Sequence, residues 1–192
     1  MKKFLKLFFS LNFLMSSLFT VYSCSATEVT NELTFCDSDS EKNLTTFLRS
    51  DNVSIFNSFF ENDFNFPLDI ENNKLNKDYT DIYERRYVDN DFIYDYSSVE
   101  GNQVVMDVNE KGNAFPNEIN NIFIETNNLQ SDFSILEYSG VTYILTLKGY
   151  KGFSNYTIFI YKTILSSEND KDKVIRKTTF QKIYKKNINI IT

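Results

Sequence analysis

The chain has 192 residues, 42% of them hydrophobic and 24% charged, which is enough for one globular domain with a core. Three of the 20 basic residues and none of the 26 acidic ones lie in the first 23 positions, so the net charge of −6 becomes −9 without them. This acidity disfavours nucleic acid as a partner, because phosphate contacts need basic residues. The lack of histidine excludes His-dependent triads and His-ligated metal or haem sites.

The first 23 residues, MKKFLKLFFSLNFLMSSLFTVYS, begin with three lysines and continue as an apolar run from Phe8 to Val21. A basic start followed by an apolar run of about 7–15 residues is typical of a secretory signal peptide. The run is short for a transmembrane helix, although an uncleaved membrane anchor is the alternative. We therefore expect residues 1–23 to be a signal peptide and the protein to be exported.

The end of this segment, Val21-Tyr22-Ser23-Cys24, resembles the lipobox of bacterial lipoproteins, in which an apolar and a small residue precede a cysteine. The resemblance covers only these residues. It implies that Cys24 is acylated, becomes the first residue of the mature protein and anchors it to a membrane. Two or three acyl chains give stable anchoring, whereas a single chain is marginal. The expected location is the cell envelope, facing the periplasm or the cell surface.

Alternatives to lipidation stay open. Ordinary cleavage after Ser23 or Ala26 would give a soluble secreted protein in which Cys24 is lost or pairs with Cys36. Such a bridge would close a short loop and stabilise the fold by about 3 kcal/mol. Under lipidation, Cys36 is a lone thiol. A eukaryotic secreted protein is a further alternative, because glycosylation sequons begin at Asn43, Asn52 and Asn155.

The remainder is predicted to be a polar tether over residues 24–39 and a single α+β domain over 40–192. One helix is predicted to start with Ser40 as N-cap, followed by apolar residues at helical spacing, namely Leu44, Phe47 and Leu48. A second helix is predicted in NKDYTDIYERRY, where Tyr79, Ile82, Tyr83, Arg86 and Tyr87 share a face. The stretch PNEINNIFIET fits a helix or a strand, and we favour the helix.

From Phe92 onward the apolar pattern alternates with a period of two. It puts Phe92, Tyr94 and Tyr96 on one face of a strand, and the turn residues Glu100-Gly101-Asn102 separate this strand from the next. One hairpin is predicted around Ser139-Gly140 and another around the charged loop SSENDKDK.

The strand NYTIFIYKTIL is apolar on both faces, which predicts a central strand covered on both sides. The last strand alternates basic and apolar residues and is predicted to be an exposed edge. The expected fold is a mainly antiparallel sheet of about six strands in the C-terminal half. One to three helices are expected, mostly in the N-terminal half.

A calcium-loop pattern occurs in DVNEKGNAFPNE, which places Asp107, Asn109, Gly112 and Glu118 at four EF-hand positions. Lys111 stands where an oxygen ligand is needed, and Pro116 interrupts the exiting helix. We therefore expect an ordinary loop and no metal site.

Seven basic residues and one acidic residue lie in positions 171–192. This basic strip, Lys171 to Lys186, is interpreted as a solvated edge strand, since charge runs usually mark solvated faces. The alternative is a surface for anionic lipid headgroups or an acidic partner.

No catalytic or cofactor site is predicted. Carboxylate pairs such as Asp78/Asp81 and Asp89/Asp91 arise by chance among 26 acidic residues, and no GxSxG or Gly-rich phosphate loop occurs. We therefore expect a non-catalytic binding module for a protein partner, of inhibitor or immunity type, that uses surface Tyr and Phe residues. The alternatives are a carboxylate-based hydrolase of cell-wall or polysaccharide substrates and a structural or antigenic surface lipoprotein without a discrete site.

Overall fold

The computed structural model describes residues 30–55, 66–80, 82–106 and 111–191. The helical elements are α1 (Ser40–Leu48), α2 (Asn117–Asn120) and a 3-10 helix (Glu125–Asn128). The strands are β1 (Asn31–Glu32), β2 (Ser54–Ile55), β3 (Ile70–Glu71), β4 (Lys74–Leu75), β5 (Ile82–Asp89), β6 (Phe92–Glu100), β7 (Asn102–Val105), β8 (Lys111–Asn113), β9 (Gln130–Ser134), β10 (Ser139–Lys148), β11 (Asn155–Asp170) and β12 (Lys173–Asn189).

Ten of the described strands form one curled sheet with the continuous order β2-β7-β10-β11-β12-β6-β5. β1 adds to it beside β12, β9 beside β10, and β8 beside β9. All neighbouring strands are antiparallel except the pairs β1–β12 and β12–β6. The remaining strands, β3 and β4, form a separate hairpin.

The predicted architecture is confirmed in outline, because the sheet is mainly antiparallel and the helices are few. The predicted number of about six strands is wrong. β1, β2 and β8 are only two or three residues long and carry no alternating pattern, and β5 was predicted as a helix. The predicted concentration of helices in the N-terminal half is also wrong, because α2 and the 3-10 helix lie in the second half of the chain.

The second predicted helix is in fact strand β5, which pairs with β6. The two strands are joined by a turn at Asn90 and Asp91, and Asn90 adopts a φ of 48°, a left-handed conformation that asparagine tolerates. Tyr83 and Tyr87 are four residues apart, a spacing that fits a strand face as well as a helix face. The pattern of aromatic residues therefore could not separate the two structures.

The hairpin predicted around SSENDKDK is confirmed, with Lys171 and Asp172 as its two-residue turn. The prediction that the last strand is an exposed edge is wrong. On the side away from β11, β12 pairs with β6 at Val174–Thr178 and with β1 at Tyr184–Lys185. Both of these pairs are parallel and connect distant parts of the sequence, so no local sequence pattern predicts them.

The hairpin around Ser139-Gly140 is also confirmed, but its turn lies earlier than predicted. β9 pairs with β10, and the turn consists of Ile135–Tyr138. Gly140 lies within β10 at a φ of 115°, and a Cβ there would meet the main chain of Asp132. Glycine is therefore required at this position by a close approach between strands.

The main core packs against one face of the sheet, which we call the first face. The prediction that β11 is covered on both sides is confirmed, since buried residues of this strand belong to the main core and to a smaller cluster on the second face. The main core includes Leu44 and Leu48 of α1, Leu145 and Leu147 of β10, Tyr156, Ile158 and Ile160 of β11, and Ile119 and Phe123. The second-face cluster consists of Val99, Phe159 and Tyr161.

The segment predicted as a tether belongs to the domain from Asn31 onward. β1 pairs with β12, Leu33 is fully buried, and the ring of Phe35 stacks on that of Phe123 at 5.5 Å. The prediction of a free tether extending to residue 39 is therefore wrong, because apolar side chains at alternate positions add this segment to the core. The predicted helix from Ser40 is confirmed, with Asp39 rather than Ser40 as its N-cap. No helix within the described ranges is long and apolar enough to cross a membrane.

Candidate interaction site

An aromatic row lies on β6, on the second face of the sheet. Strand alternation places Phe92, Tyr94 and Tyr96 on one side, as the sequence predicts, and successive ring centroids are 6.4 and 6.5 Å apart. β6 pairs in parallel with β12, with Arg176 opposite Tyr94. The parallel pairing therefore brings an arginine from the far end of the chain beside this row.

The guanidinium of Arg176 is surrounded by aromatic rings. Its Cζ atom lies 3.9 Å from the ring centroid of Phe92, 5.2 Å from that of Tyr138 and 5.6 Å from that of Tyr94. Arg176 Nη1 donates a hydrogen bond to the hydroxyl of Tyr94 at 2.9 Å. Cation–π contacts of this kind contribute about 0.5–2 kcal/mol each, depending on desolvation. The rings thus hold the guanidinium in one orientation.

Tyr138 reaches this cluster from the turn between β9 and β10. Its φ of 48° is uncommon for a bulky residue and carries a conformational cost of about 1–2 kcal/mol. Its ring meets that of Tyr94 edge-on at 6.1 Å, and its hydroxyl lies 2.6 Å from Thr178 Oγ1. These contacts offset the backbone strain. We call Phe92, Tyr94, Tyr96, Tyr138 and Arg176 the aromatic–arginine face.

The same turn exposes two large apolar side chains beside this face. Leu136 is 92% exposed and Ile135 is 59% exposed. The turn is held against β11, because Ser167 Oγ donates to the carbonyl oxygen of Glu137 at 3.1 Å. We call Ile135–Tyr138 the hairpin tip. The hairpin tip therefore exposes apolar side chains to solvent, and its hydrogen bond from Ser167 fixes its position.

Glu100 fixes where β6 crosses the second face. Its N–H donates to the Tyr161 hydroxyl at 3.0 Å, and its carbonyl oxygen accepts from Thr146 Oγ1 at 2.7 Å. Its carboxylate accepts hydrogen bonds from Lys182 at 2.8 Å and Lys148 at 2.9 Å. These two bonds hold the pKa of Glu100 below its ordinary value, and the bond from Lys182 has the larger effect. The bond to Glu100 in turn raises the pKa of Lys148. The position of the aromatic row depends on this anchoring.

The basic strip does not form one patch, because strand alternation sends its side chains to both faces of β12. Lys182 is paired with Glu100, Lys177 with Glu168 at 2.7 Å, and Lys186 with Glu32 at 3.4 Å. The solvated-edge interpretation is wrong, since β12 has neighbours on both sides. The strip instead contributes Arg176 to the aromatic–arginine face.

The lipidation site Cys24 lies outside the described residues. Cys36 is a free, exposed thiol whose pKa is raised by desolvation and by the negative charges of Asp37 and Glu125. A raised pKa lowers the fraction of reactive thiolate at neutral pH.

Of the calcium-loop positions, Asp107 and Asn109 lie outside the described residues. Gly112 is in β8, which pairs with β9, and Glu118 is in the first turn of α2. In the described ranges no group of three or more potential metal ligands lies together.

A cleft of about 380 Å³ lies beside α1 and contains the side chains of Arg49, Asp69 and Lys77. Among the described residues that line it, Asp69 is the one carboxylate, and it accepts hydrogen bonds from Asn76. Of the carboxylate pairs considered from sequence, Asp78 accepts a bond from the Lys151 N–H, and Asp81 lies outside the described residues. The carboxylate-based hydrolase stays a prediction.

Two members of this site were not recognised in the sequence. Arg176 was one of seven bases in a charged run, and Tyr138 was the end of a predicted strand. The available signal for the hairpin tip was the run Ile135-Leu136 immediately before Ser139-Gly140, since adjacent apolar residues are unusual in a turn. No sequence signal connects Arg176 to Phe92, because their contact depends on a parallel pairing between residues 84 positions apart.

Comparisons with known proteins identify no relative of the chain. No protein-family model, curated protein or solved structure matches the chain.

Proposed function

We propose that this protein is an exported, lipid-anchored protein of the cell envelope that binds a protein partner without catalysis, as an inhibitor or immunity-type protein does. Cys24 is the lipid attachment site in this proposal. The partner binds the aromatic–arginine face together with the hairpin tip.

The observation that carries the proposal is the exposure of Leu136 and Ile135, 92% and 59%, next to an arginine packed among aromatic rings. Trp, Tyr and Arg dominate the energetic centres of protein interfaces. Adjacent exposed apolar side chains in a soluble domain mark interaction surfaces when they lie together and not singly. Both features meet in one place here.

The anchor is tested by metabolic labelling with a fatty-acid probe. The wild-type protein and Cys36→Ser should both be labelled, and Cys24→Ser should not be. Equal labelling of wild type and Cys24→Ser would contradict lipidation at this residue.

The binding surface is tested by affinity capture from an envelope extract. The double variant Ile135→Ser/Leu136→Ser should lose a partner that the wild type retains. Ile124→Ser is the matched control, because Ile124 is 50% exposed but lies after α2, away from the hairpin tip. Equal recovery by the wild type and the double variant would exclude the hairpin tip from the interface.

A further inference from the structure

We propose that the partner of the aromatic–arginine face presents a carboxylate side chain to Arg176, flanked by an apolar residue that packs against the hairpin tip. This inference rests on the proposed function and specifies the chemistry of the partner.

Arg176 carries a charge that no carboxylate in the described ranges balances. The ion pairs among the described residues involve Lys111, Lys148, Lys177, Lys182 and Lys186, and none of them includes Arg176. In a domain with a net charge of −9, a half-buried cation without a carboxylate is conspicuous. Guanidinium groups at such positions are ordinarily paired, since burial of an unpaired charge is costly.

The guanidinium of Arg176 also has hydrogen-bond donors that no described acceptor uses. Arg176 Nη1 donates to Tyr94, while Nε is buried and has no acceptor in the structure. Because Nε has no accessible surface, a partner reaches the guanidinium through its Nη groups, whose charge-assisted hydrogen bonds favour a carboxylate. Within the part of the chain that the structure describes, Nη2 has no acceptor. A carboxylate would satisfy it.

The charges along β12 favour a protein carboxylate over a membrane surface as the partner of Arg176. Along the second face of β12 the order is Arg176, Thr178, Phe180 and Lys182, and Lys182 is already neutralised by Glu100. A surface for anionic lipid needs several free cations together, because each contributes about 1 kcal/mol. A single guanidinium beside Leu136 and Ile135 instead matches one acidic side chain next to an apolar one.

The test uses the full chain in detergent micelles, labelled with ¹⁵N-arginine, so that only Arg49, Arg85, Arg86 and Arg176 give side-chain signals. The probe is the blocked tripeptide acetyl-Leu-Asp-Leu-amide, and its control is acetyl-Leu-Asn-Leu-amide, which has the same shape without the charge. The signal of Arg176, assigned by its loss in Arg176→Lys, should shift saturably. The aspartyl peptide should bind roughly fivefold or more tightly than the asparaginyl peptide.

Two variants complete the design. Arg176→Lys keeps the charge but lacks the planar fork, so it should lose most of the preference for the aspartyl peptide, followed through the Tyr138 ring signal. Lys177→Gln removes a neighbouring cation that is paired with Glu168, and it should keep the preference.

Equal shifts with both peptides would overturn the carboxylate proposal and leave the interaction surface standing. No response of Arg176 to either peptide, or a response to inorganic phosphate at least as strong as to the aspartyl peptide, would also overturn it. The proposed function is judged separately by the affinity capture of the hairpin-tip variants.

Discussion

The Cζ atom of Arg176 lies 3.9 Å from the centre of the Phe92 ring, although the two residues are 84 positions apart in the chain. The contact exists because β12 and β6 pair in parallel, with Val174 opposite Phe92 and Arg176 opposite Tyr94. Both residues thus report on the same non-local pairing. The contact between the two side chains therefore tests whether β12 and β6 pair in this register.

A double-mutant cycle should detect the contact. We expect Phe92→Leu and Arg176→Met to show a coupling of about 1 kcal/mol in the free energy of unfolding, measured by urea denaturation. The control cycle combines Phe92→Leu with Lys177→Met, and its coupling should be near zero because Lys177 pairs with Glu168. A coupling near zero in the first cycle would argue against the stacked arrangement.

Gly101 should be hard to replace, because β6 passes into β7 there over the main chain of Leu147. At a φ of 81°, an added Cβ would lie 2.6 Å from the Leu147 carbonyl oxygen. Gly101→Ala should therefore lower the free energy of unfolding by at least about 2 kcal/mol, from backbone strain and overlap together.

Gly152→Ala is the matched control for this effect. Gly152 has a similar φ of 85°, but a Cβ there would meet nothing within 4 Å. It should cost only the conformational part, about 1 kcal/mol. Equal costs for the two substitutions, in the same urea denaturation experiment, would show that the close approach at Leu147 is absent.

Glu100 should contribute stability that depends on pH. Its hydrogen bonds to Lys182 and Lys148 lower its pKa in the folded state relative to the value of 4.5 expected when unfolded. The contribution is therefore present above about pH 4.5 and is lost as the pH falls through the lower, folded-state pKa. The difference in unfolding free energy between the wild type and Glu100→Gln should shrink over this acidic range.

The exposed carboxylate of Glu71 provides the comparison for Glu100. Glu71→Gln should change the unfolding free energy little, since among the described residues Glu71 takes part in no ion pair. A constant difference between wild type and Glu100→Gln from pH 3 to pH 7 would contradict the assignment.

Tyr79 should make the fold sensitive to alkali. Its ring is fully buried and its hydroxyl accepts a hydrogen bond from the Asp69 N–H at 2.9 Å. Burial raises the pKa of Tyr79 to about 12, so between pH 10 and 12 the unfolded chain releases a proton that the folded chain retains. Stability is therefore lost as the pH rises through this range.

Tyr79→Phe should flatten the decline of unfolding free energy between pH 10 and 12 by up to about 1.4 kcal/mol per pH unit. Tyr150→Phe is the matched control, because it removes the same hydroxyl from a half-exposed ring. Identical slopes for Tyr79→Phe and wild type would mean that Tyr79 ionises normally.

Local patterns in the sequence predicted those parts of the fold that local interactions determine. The alternation of Phe92, Tyr94 and Tyr96 identified β6, and the helical spacing of Leu44 and Leu48 identified α1. Both signals arise within fewer than ten residues, where backbone periodicity alone decides which side chains share a face.

The parts that were missed depend on partners distant in the chain. β5 forms because β6 supplies its hydrogen bonds, and β12 is interior because β6 and β1 pair in parallel along it. The aromatic–arginine face is of this kind, since Phe92, Tyr138 and Arg176 come from three separate regions. No spacing pattern in the sequence predicts that these three residues lie together.

The central claim, that a protein partner binds the hairpin tip and the aromatic–arginine face, is tested most directly by site-specific photo-cross-linking in intact cells. A benzophenone amino acid at position 136 should give one defined adduct with an envelope protein. That adduct should weaken strongly in the Tyr138→Ala background and be absent when the probe replaces Ile124. No adduct at position 136, or the same adducts at positions 136 and 124, would contradict the account.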